Sequence, residues 1–247
     1  MTSRRLDEEL VARGLVASRS RARDLVVRGQ VTVDGKAARK PSQPVLPSTA
    51  LSLAEAADHY VSRAALKLVH GLDSFNVEVS GRHCLDLGAS TGGFSQVLLE
   101  RGAASVTAID VGHGQLAPTI AADSRVRTFE GVNARALQRE HVAEEISLIV
   151  CDVSFISLRL ALPAALDLVS GGTELVALIK PQFEVGRNGV GKGGIVRDEQ
   201  LRQQTCVEIQ GWLQGIGWAV RGIVPSPLLG SDGNSEFLIS ATKLPIA

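Results

Sequence analysis

The sequence predicts an α/β fold: a mostly parallel sheet with an antiparallel edge hairpin, preceded by a small basic helix–helix–hairpin module. Three observations support this. Apolar strand candidates alternate with helix-length segments from residue 82 onward. Two further strand candidates near the C-terminus are separated only by a Gly-rich loop, which suits a hairpin. The first 40 residues hold ten Lys and Arg against five Asp and Glu, in a chain whose net charge is zero.

The N-terminal elements follow from periodicity and turn residues. Apolar residues at helical spacing predict a helix over 4–13 and a second over 18–29, with Ser18 or Ser20 as its N-cap. Alternating valines followed by Asp34-Gly35 predict a hairpin. Prolines and a short strand candidate, "ALSLAE", then lead into a linker that ends near residue 59. We therefore predict two domains, residues 1–59 and 60–247.

The second domain contains the sheet. Its strand candidates are 83–88, 105–110, 126–131, 147–152 and 174–180, followed by a helix at about 198–215 and by the hairpin segments "WAVRGIVPSP" and "SEFLISATK". Strands that alternate with helices indicate a parallel sheet covered on both faces. Hairpin strands at its end are then expected to pair antiparallel at the sheet edge.

Composition narrows the function classes. The basic module on a mildly acidic body favours a polyanionic partner, with nucleic acid as the first choice. Charges occupy the place of a signal peptide's apolar region, and no apolar run reaches the roughly 20 residues of a membrane helix. The cysteines are Cys84, Cys151 and Cys206, which are far apart and form no CxxC pair. We therefore expect a reduced cytoplasmic protein without a disulfide framework or metal site.

The segment "CLDLGASTGGF" (84–94) combines a strand, a Gly-rich turn and a helix start. Its glycines allow a ligand to approach the backbone, and Asp86 and Asp110 close two successive strands. A carboxylate at such a strand end commonly binds ribose hydroxyls. Ser90 replaces the second glycine of the dinucleotide fingerprint, which weakens an NAD interpretation. A sheet turn without a ligand remains the alternative.

Three further polar residues are expected at one edge of the sheet. Asp152 and Lys180 end the fourth and fifth strand candidates, and Glu236 begins a strand that should run antiparallel. An antiparallel strand begins where its parallel neighbours end, so these side chains can share one cleft. Taken singly, Asp152 is equally well explained as a helix cap and Lys180 as a surface residue.

The stretch "YVSRAALKL" (60–68) raises a related alternative about Lys67. A helix here has an apolar stripe that includes Ala65, Leu68 and Leu72, and Lys67 lies on the opposite face with Arg63. The face around Lys67 is then either a solvated basic surface or, if the helix crosses the cleft mouth, part of the site. From this stretch alone the solvated surface is favoured, because charge runs usually face solvent.

An ordered set of motifs resembles one family across essentially the whole chain. The run "SRAALKL … CLDLGASTGGF … AIDVGHGQL … CDVSFISL … IKPQFEVG … GNSEFL" is similar to the TlyA rRNA 2′-O-methyltransferases. The N-terminal "RLDEELVARGLVASRSRARDLVVRGQVTVDGK" resembles the αL-type RNA-binding domain of that family. The resemblance implies a Rossmann-like, FtsJ-like methyltransferase domain that uses S-adenosylmethionine to methylate a cytidine ribose in rRNA.

The resemblance also implies roles for individual residues. The catalytic tetrad would be Lys67, Asp152, Lys180 and Glu236, with Lys180 favoured as the proton acceptor. The cofactor residues would be Asp86, Gly88, Ser90, Thr91, Gly92, Gly93, Asp110 and, more weakly, Asn133. The candidate RNA-binding residues are Arg4, Arg5, Arg19, Arg21, Arg23, Arg28, Lys36 and Arg63. His113 departs from the tyrosine that relatives often have, so its role is undetermined.

Several alternatives stay open at this point. The Gly-rich segment 186–194 is either an RNA-contacting lid or a solvated connection, and Phe155 and Phe183 either stack a flipped base or belong to the core. The short tail after the last strand favours the large ribosomal subunit as target, and a monomer is favoured. The competing functions are an RNA-binding factor without catalysis and, with less support, membrane lysis, since haemolysin names occur in the family.

Overall fold

The computed structural model describes residues 3–16, 19–27, 29–38, 40–53, 59–142, 144–186, 189–230 and 232–245. The chain divides into two compact units, Met1–Arg63 and Ala64–Ala247. Within the described ranges, no helix combines the length and the apolar character that crossing a membrane requires.

In its described residues the first unit contains two helices and two small antiparallel sheets. Its elements are β1 (Arg4–Arg5), α1 (Leu6–Ala12), α2 (Arg19–Val27), β2 (Val31–Val33), β3 (Lys36–Ala37), β4 (Pro44–Val45) and β5 (Leu51–Leu53). Strands β3, β2 and β5 form one sheet and β1 pairs with β4. Apolar residues from both helices and from β2 make its core, including Leu6, Leu10, Leu25 and Val31.

The structure confirms most of the predicted N-terminal order and corrects one boundary. The hairpin turns at Asp34 and Gly35, both with positive φ, so a short turn connects β2 to β3. The helix predicted over 4–13 is wrong at its start, because Arg4 and Arg5 pair as a strand with β4. That pairing joins residues about 40 positions apart, which helical periodicity cannot reveal. The candidate N-cap Ser18 lies outside the described residues.

The second unit is a seven-stranded sheet with helices. Its strands are β6 (His83–Leu87), β7 (Ser105–Asp110), β8 (Val126–Glu130), β9 (Leu148–Cys151), β10 (Glu174–Ile179), β11 (Trp218–Pro225) and β12 (Phe237–Lys243). Its α-helices are α3 (Ala64–Phe75), α4 (Gly93–Glu100), α5 (Pro118–Ala121), α6 (Leu158–Ala161), α7 (Pro163–Asp167), α8 (Pro181–Glu184) and α9 (Glu199–Gly215). Short 3-10 turns lie at Ala134–Ala136, Arg139–His141 and Lys192–Gly194.

The strand order places the carboxyl ends of β6 and β9 side by side at the centre of the sheet. The order is β11-β12-β10-β9-β6-β7-β8, with β12 antiparallel to both of its neighbours and the pairs from β10 to β8 parallel. This confirms the predicted mostly parallel sheet with an antiparallel hairpin at its edge. From β6 the chain adds β7 and β8 on one side, and β9 then lies on the other side of β6. Such a switch point in the strand order is where open α/β sheets bind ligands.

Helix α3 packs closely against the sheet. A Cβ atom on Gly71 would lie 3.2 Å from side-chain carbons of both Leu238 and Val176, so glycine allows this approach. Ala65, Leu68 and Leu72 are fully or almost fully buried, as their helical spacing predicts. The helix itself begins at Ala64, four residues later than the start of "YVSRAALKL".

Candidate active site

Asp86 lies beneath the Gly-rich turn as a buried carboxyl group. It is 0% exposed near the end of β6, and Ser95 Oγ donates a hydrogen bond to its Oδ2 at 2.7 Å. Its Oδ1 has no hydrogen-bond partner among the described residues. Burial raises the pKa of Asp86 to about 7, and the Ser95 hydrogen bond only partly opposes this shift. An unpartnered buried acceptor beside a Gly-rich turn suits a ligand with N–H or O–H donors.

This pKa shift predicts a pH dependence of stability. Between about pH 4 and pH 7 the folded protein retains a proton on Asp86 that the unfolded chain has lost. The free energy of unfolding attributable to this group therefore falls as pH rises, by about 1.4 kcal/mol per pH unit at most. Asp86→Asn is expected to flatten this fall in urea titrations of the cofactor-free protein. Equal slopes in wild type and variant would contradict the prediction.

The turn after β6 presents backbone to a cavity. Gly88 has φ +83°, and a Cβ there would lie 2.8 Å from the carbonyl oxygen of Asp152, so a side chain has no room. The Ser90 amide donates to Asp110 Oδ2 and the Gly112 amide to Asp110 Oδ1, each at 2.7 Å. These bonds fix the Asp110 carboxylate at the rim, and each oxygen keeps a second lone pair for a ligand hydroxyl.

A cavity of about 1200 Å³ opens beside this turn. Of the predicted cofactor residues, Gly88, Ser90, Asp110 and Asn133 line it, as does the catalytic candidate Asp152. The Asn133 side chain accepts from the Arg135 amide at 3.0 Å, which orders the segment that follows β8. The cavity thus spans the carboxyl ends of strands on both sides of the switch point.

Three other predicted cofactor residues belong to the same turn but are not among the described residues that line the cavity. Thr91, Gly92 and Gly93 lead into α4. A Cβ on Gly92 would lie 2.8 Å from Leu116 Cδ1, so this glycine serves close packing. His113 is exposed, and its ring lies against Gly131.

The first ion pair of the site joins β9 and β10. Lys180, which follows β10, is 8% exposed, and its Nζ lies 2.6 Å from Asp152 Oδ1. The same Nζ donates to Ser154 Oγ at 2.8 Å. Lys180 is therefore held by two side chains from the loop after β9, which limits its rotamers.

The second ion pair joins α3 and β12. Lys67 Nζ donates to Glu236 Oε2, and the two side chains are 7% and 3% exposed. The solvated-face interpretation of Lys67 is wrong, because the residue is buried and paired. Gly230 makes room for this pair, since a Cβ there would lie 2.7 Å from Glu236 Oε1.

Strand register brings the two pairs to one edge of the sheet. The antiparallel ladder of β10 and β12 ends with Ile179 opposite Phe237, so Lys180 and Glu236 come next on the two chains. On the other side Cys151 pairs with Ala177, which places Asp152 at the same end. The four tetrad residues predicted from sequence therefore occur as two acid–lysine pairs at the carboxyl edge of the parallel strands.

Phe155 and Phe183 lie at the cavity wall. Phe155 is 91% exposed, so the core alternative is wrong for this residue, and its ring centroid lies 5.2 Å from that of the half-buried Phe183. Phe155 has φ +65°, a conformation that costs a bulky residue energy. Just beyond it, Glu184 accepts from Ser157 Oγ at 2.5 Å and from the Leu158 amide at 2.8 Å, which anchors the loop to α8.

Burial raises the pKa of Glu184, although both of these hydrogen bonds oppose the shift. The sequence predictions did not include Glu184, Ser154 or Ser95. They also omitted two glutamines that line the cavity, Gln115 and Gln182. Each of these residues adjoins a motif residue in sequence or space, but single polar side chains in loops or in the first turns of helices carry no periodic signal of burial.

The Gly-rich segment 186–194 is only partly described. Gly186 and Val190 line the cavity, and the segment ends in the 3-10 turn Lys192–Gly194. Residues 187 and 188 lie outside the described residues, so the lid interpretation stays a prediction.

The predicted RNA-binding residues belong to the first unit. Arg4, Arg5, Arg19 and Arg23 all form ion pairs with acidic residues of α1. Lys36 is exposed on β3 and Arg63 is half-buried at the end of the unit. Arg21 is part of α2, while Arg28 lies outside the described residues.

Comparison with known proteins decides the family. Residues 60–243 match the FtsJ-like methyltransferase family and residues 4–51 match the S4 domain. The 16S/23S rRNA (cytidine-2′-O)-methyltransferase TlyA of Mycobacterium tuberculosis is 47% identical over 95% of this chain and 88% of its own. The chain belongs to the TlyA family. It carries the FtsJ-like methyltransferase domain that the sequence predicted, and an S4 domain at the place of the predicted αL-type RNA-binding domain.

Other relatives agree with this assignment to the TlyA family. The 23S rRNA (cytidine-2′-O)-methyltransferase TlyA of Campylobacter jejuni is 34% identical over 92% of this chain and 95% of its own. A solved structure named as a hemolysin from Streptococcus thermophilus is 38% identical with a TM-score of 0.78. That match covers 99% of this chain and 90% of the other, so it spans both domains.

Proposed function

We propose that this protein transfers a methyl group from S-adenosylmethionine to the 2′-hydroxyl of a cytidine in rRNA, with the large subunit as its target. One observation carries the proposal: the buried pairs Lys180–Asp152 and Lys67–Glu236 occupy one sheet edge, and Asp152 also lines the cavity. A cluster of lysines and carboxylates beside a cavity suits deprotonation of a poorly acidic hydroxyl.

The cavity offers groups that fit the cofactor. Gly88 lines the cavity and the carboxylate of Asp110 is fixed at its rim. Asp86 does not line the cavity, but its buried Oδ1 lacks a partner among the described residues. Gly88, Ser90, Asp110 and Asn133 would hold S-adenosylmethionine, with Asp86 beneath the turn. When bound, S-adenosylmethionine supplies a sulfonium methyl group for in-line attack.

The protein's own residues position and deprotonate the hydroxyl. Lys180 Nζ would accept the proton of the 2′-hydroxyl as that oxygen attacks the methyl group. Asp152 and Ser154 orient the Lys180 amine through contacts of 2.6 and 2.8 Å. The Lys67–Glu236 pair holds the ribose and balances charge. Such positioning supplies a large part of the rate enhancement when two reactants are held in line.

The substrate assignment rests on the family and on the basic unit. The relatives from M. tuberculosis and C. jejuni are named for 16S/23S and for 23S rRNA, respectively, so 23S rRNA is common to both. The S4 domain, with its excess of basic residues over residues 1–40, supplies positive charge for the RNA backbone. An rRNA substrate also favours a cytoplasmic location.

Methylation mapping tests the proposal directly. Purified protein and S-adenosylmethionine are incubated with each ribosomal subunit from cells that lack the protein, and 2′-O-methyl sites are mapped on both rRNAs. We expect a new site at a cytidine of 23S rRNA. Modification of 16S rRNA alone would overturn the large-subunit assignment, and transfer to neither rRNA would overturn the proposed function.

Phe155 is expected to stack on the target base. A 2′-hydroxyl within folded rRNA becomes accessible when its nucleotide is splayed out, and an exposed ring at the cavity wall can hold the unstacked base. Because base–aromatic stacking contributes about 1–3 kcal/mol, Phe155→Ala should lower kcat/KM for the subunit by roughly 5- to 150-fold. The measurement is methyl transfer under single-turnover conditions.

Two further variants of Phe155 separate stacking from apolar packing. Phe155→Trp should retain activity because its ring still stacks, whereas Phe155→Leu should resemble Phe155→Ala. Activity of Phe155→Leu at the wild-type level would show that an apolar side chain suffices and that stacking is not involved.

A further inference from the structure

Three arginines of the first unit converge on one buried carboxylate. Arg5 donates through Nε and Nη2 to the two oxygens of Asp7 at 3.0 and 3.1 Å. From α2, Arg23 Nε and Arg19 Nη2 reach Asp7 Oδ2 at 2.9 and 3.5 Å. Asp7 is 0% exposed, and its pKa is lowered, first by the hydrogen bond from Arg5. These contacts gather side chains from the residue before α1 and from the first half of α2 around one point.

The arginines stay accessible although their partner is buried. Their side chains are 42%, 48% and 55% exposed for Arg5, Arg19 and Arg23, respectively. Glu8, which is partly exposed, adds one contact to Arg19 at 3.1 Å. Three guanidiniums against two carboxylates leave an excess positive charge. Each guanidinium has five N–H donors in a fixed fork, so the cluster can still bind an anion from the solvent side.

Arg13 of the same unit shows what a purely structural arginine does. Its guanidinium donates to Glu9 Oε1 at 2.9 Å and to the carbonyl oxygens of Thr49, Leu46 and Pro47 at 2.7 to 3.0 Å. Its donors point into the protein and tie α1 to the segment after β4. The Asp7 cluster differs because its three arginines share one acceptor and lie half in solvent.

We propose that Arg5, Arg19 and Arg23 form a single binding site for one phosphate of the RNA backbone, and that Asp7 is the positioning residue of this site. The site deepens the proposed rRNA methyltransferase function and rests on it. Asp7 sets the direction of the three guanidiniums before RNA binds, so less side-chain entropy is lost on binding. Charge-assisted hydrogen bonds from several guanidiniums then hold the phosphate.

The decisive test compares two neighbouring charge removals, Asp7→Asn and Glu8→Gln. Both variants make the unit more positive by one charge, so electrostatic attraction alone predicts tighter RNA binding for both. The positioning role predicts tighter binding only for Glu8→Gln, which frees Arg19. Asp7→Asn should instead bind about tenfold more weakly, because the guanidiniums lose their shared charged acceptor.

Binding is measured with the full chain and large ribosomal subunits from cells that lack the protein, over a range of salt concentrations. The slope of log K against log salt should become shallower by about one for Asp7→Asn, as expected for one lost phosphate contact. A merely structural role lowers thermal stability without changing this slope. Binding of Asp7→Asn as tight as that of Glu8→Gln would overturn the proposal.

Arginine variants test the site even if Asp7→Asn does not fold. Arg19→Gln and Arg23→Gln remove half-exposed side chains and should fold. If both arginines bind one phosphate, the slope of log K against log salt should become shallower by about one in the double variant. If they bind separate phosphates, the slope should change by about two, which would overturn the proposal. Binding needs no methyl transfer, so a failure of this site and a failure of the proposed activity are distinguishable.

Discussion

Lys180→Ala is expected to lower methyl transfer by about a thousandfold while the protein still folds and binds its cofactor. A positioned general base contributes about 10²- to 10⁴-fold, and alanine leaves no group to accept the 2′-hydroxyl proton. Folding should persist because Asp152, the partner left behind, has a side chain that is 15% exposed and also borders the cavity, where water can reach it. The measurements are single-turnover methyl transfer and calorimetric binding of S-adenosylhomocysteine.

A matched lysine elsewhere in the sheet domain provides the control. Lys243 Nζ donates to the carbonyl oxygens of Leu166 and Val169, both at 2.7 Å, far along β12 from Glu236. Lys243→Met should therefore reduce stability while the activity of each folded molecule stays unchanged. Wild-type turnover in Lys180→Ala would contradict the assignment of Lys180 as proton acceptor and would point to Lys67.

Residues at strand ends were the most predictable part of the candidate site. Asp86, Asp110, Asp152 and Lys180 were located because a parallel sheet brings the carboxyl ends of its strands to one edge, whatever the loops do. Glu236 was located by the same argument, because an antiparallel strand begins at the edge where its parallel neighbours end. Periodicity and turn residues suffice for this because they fix where each strand stops.

The environment of Lys67 was less accessible to such reasoning. On a helical wheel it opposes the apolar stripe of α3, which ordinarily indicates solvent. Its burial depends on Glu236, which lies 169 residues downstream, and on the close approach that Gly71 allows. Local patterns hold no information about such a partner, and only the ordered motifs of the family indicated it.

The arginines of the first unit were named as RNA-binding candidates from the sequence, but their contacts and their secondary structure were not all predicted. The run around Arg4 and Arg5 was predicted as the start of a helix exposed to RNA, whereas it pairs as β1. Asp7 was unremarked because a carboxylate in a charged helix usually faces water, yet it is fully buried beneath three arginines. The exposure of Phe155 was equally unpredictable, since an aromatic residue after a buried strand fits a core as well as a surface.

Lys67→Met should destabilise the fold as well as remove activity. The substitution leaves the Glu236 carboxyl group without its partner at 3% side-chain exposure. Breaking a buried ion pair from one side costs about 3 kcal/mol or more, because the remaining charge is uncompensated. The free energy of unfolding, measured by urea denaturation with and without S-adenosylhomocysteine, should fall by about this amount.

The double variant Lys67→Met/Glu236→Gln separates the structural from the catalytic role of the pair. It removes both charges, so stability should return most of the way towards wild type, since replacing a whole buried pair is often neutral. Methyl transfer should stay lost if Lys67 and Glu236 hold the ribose. A double variant that recovers both stability and turnover would make the pair a structural element only. Recovery of stability alone would establish that the fold can do without this pair while the reaction cannot.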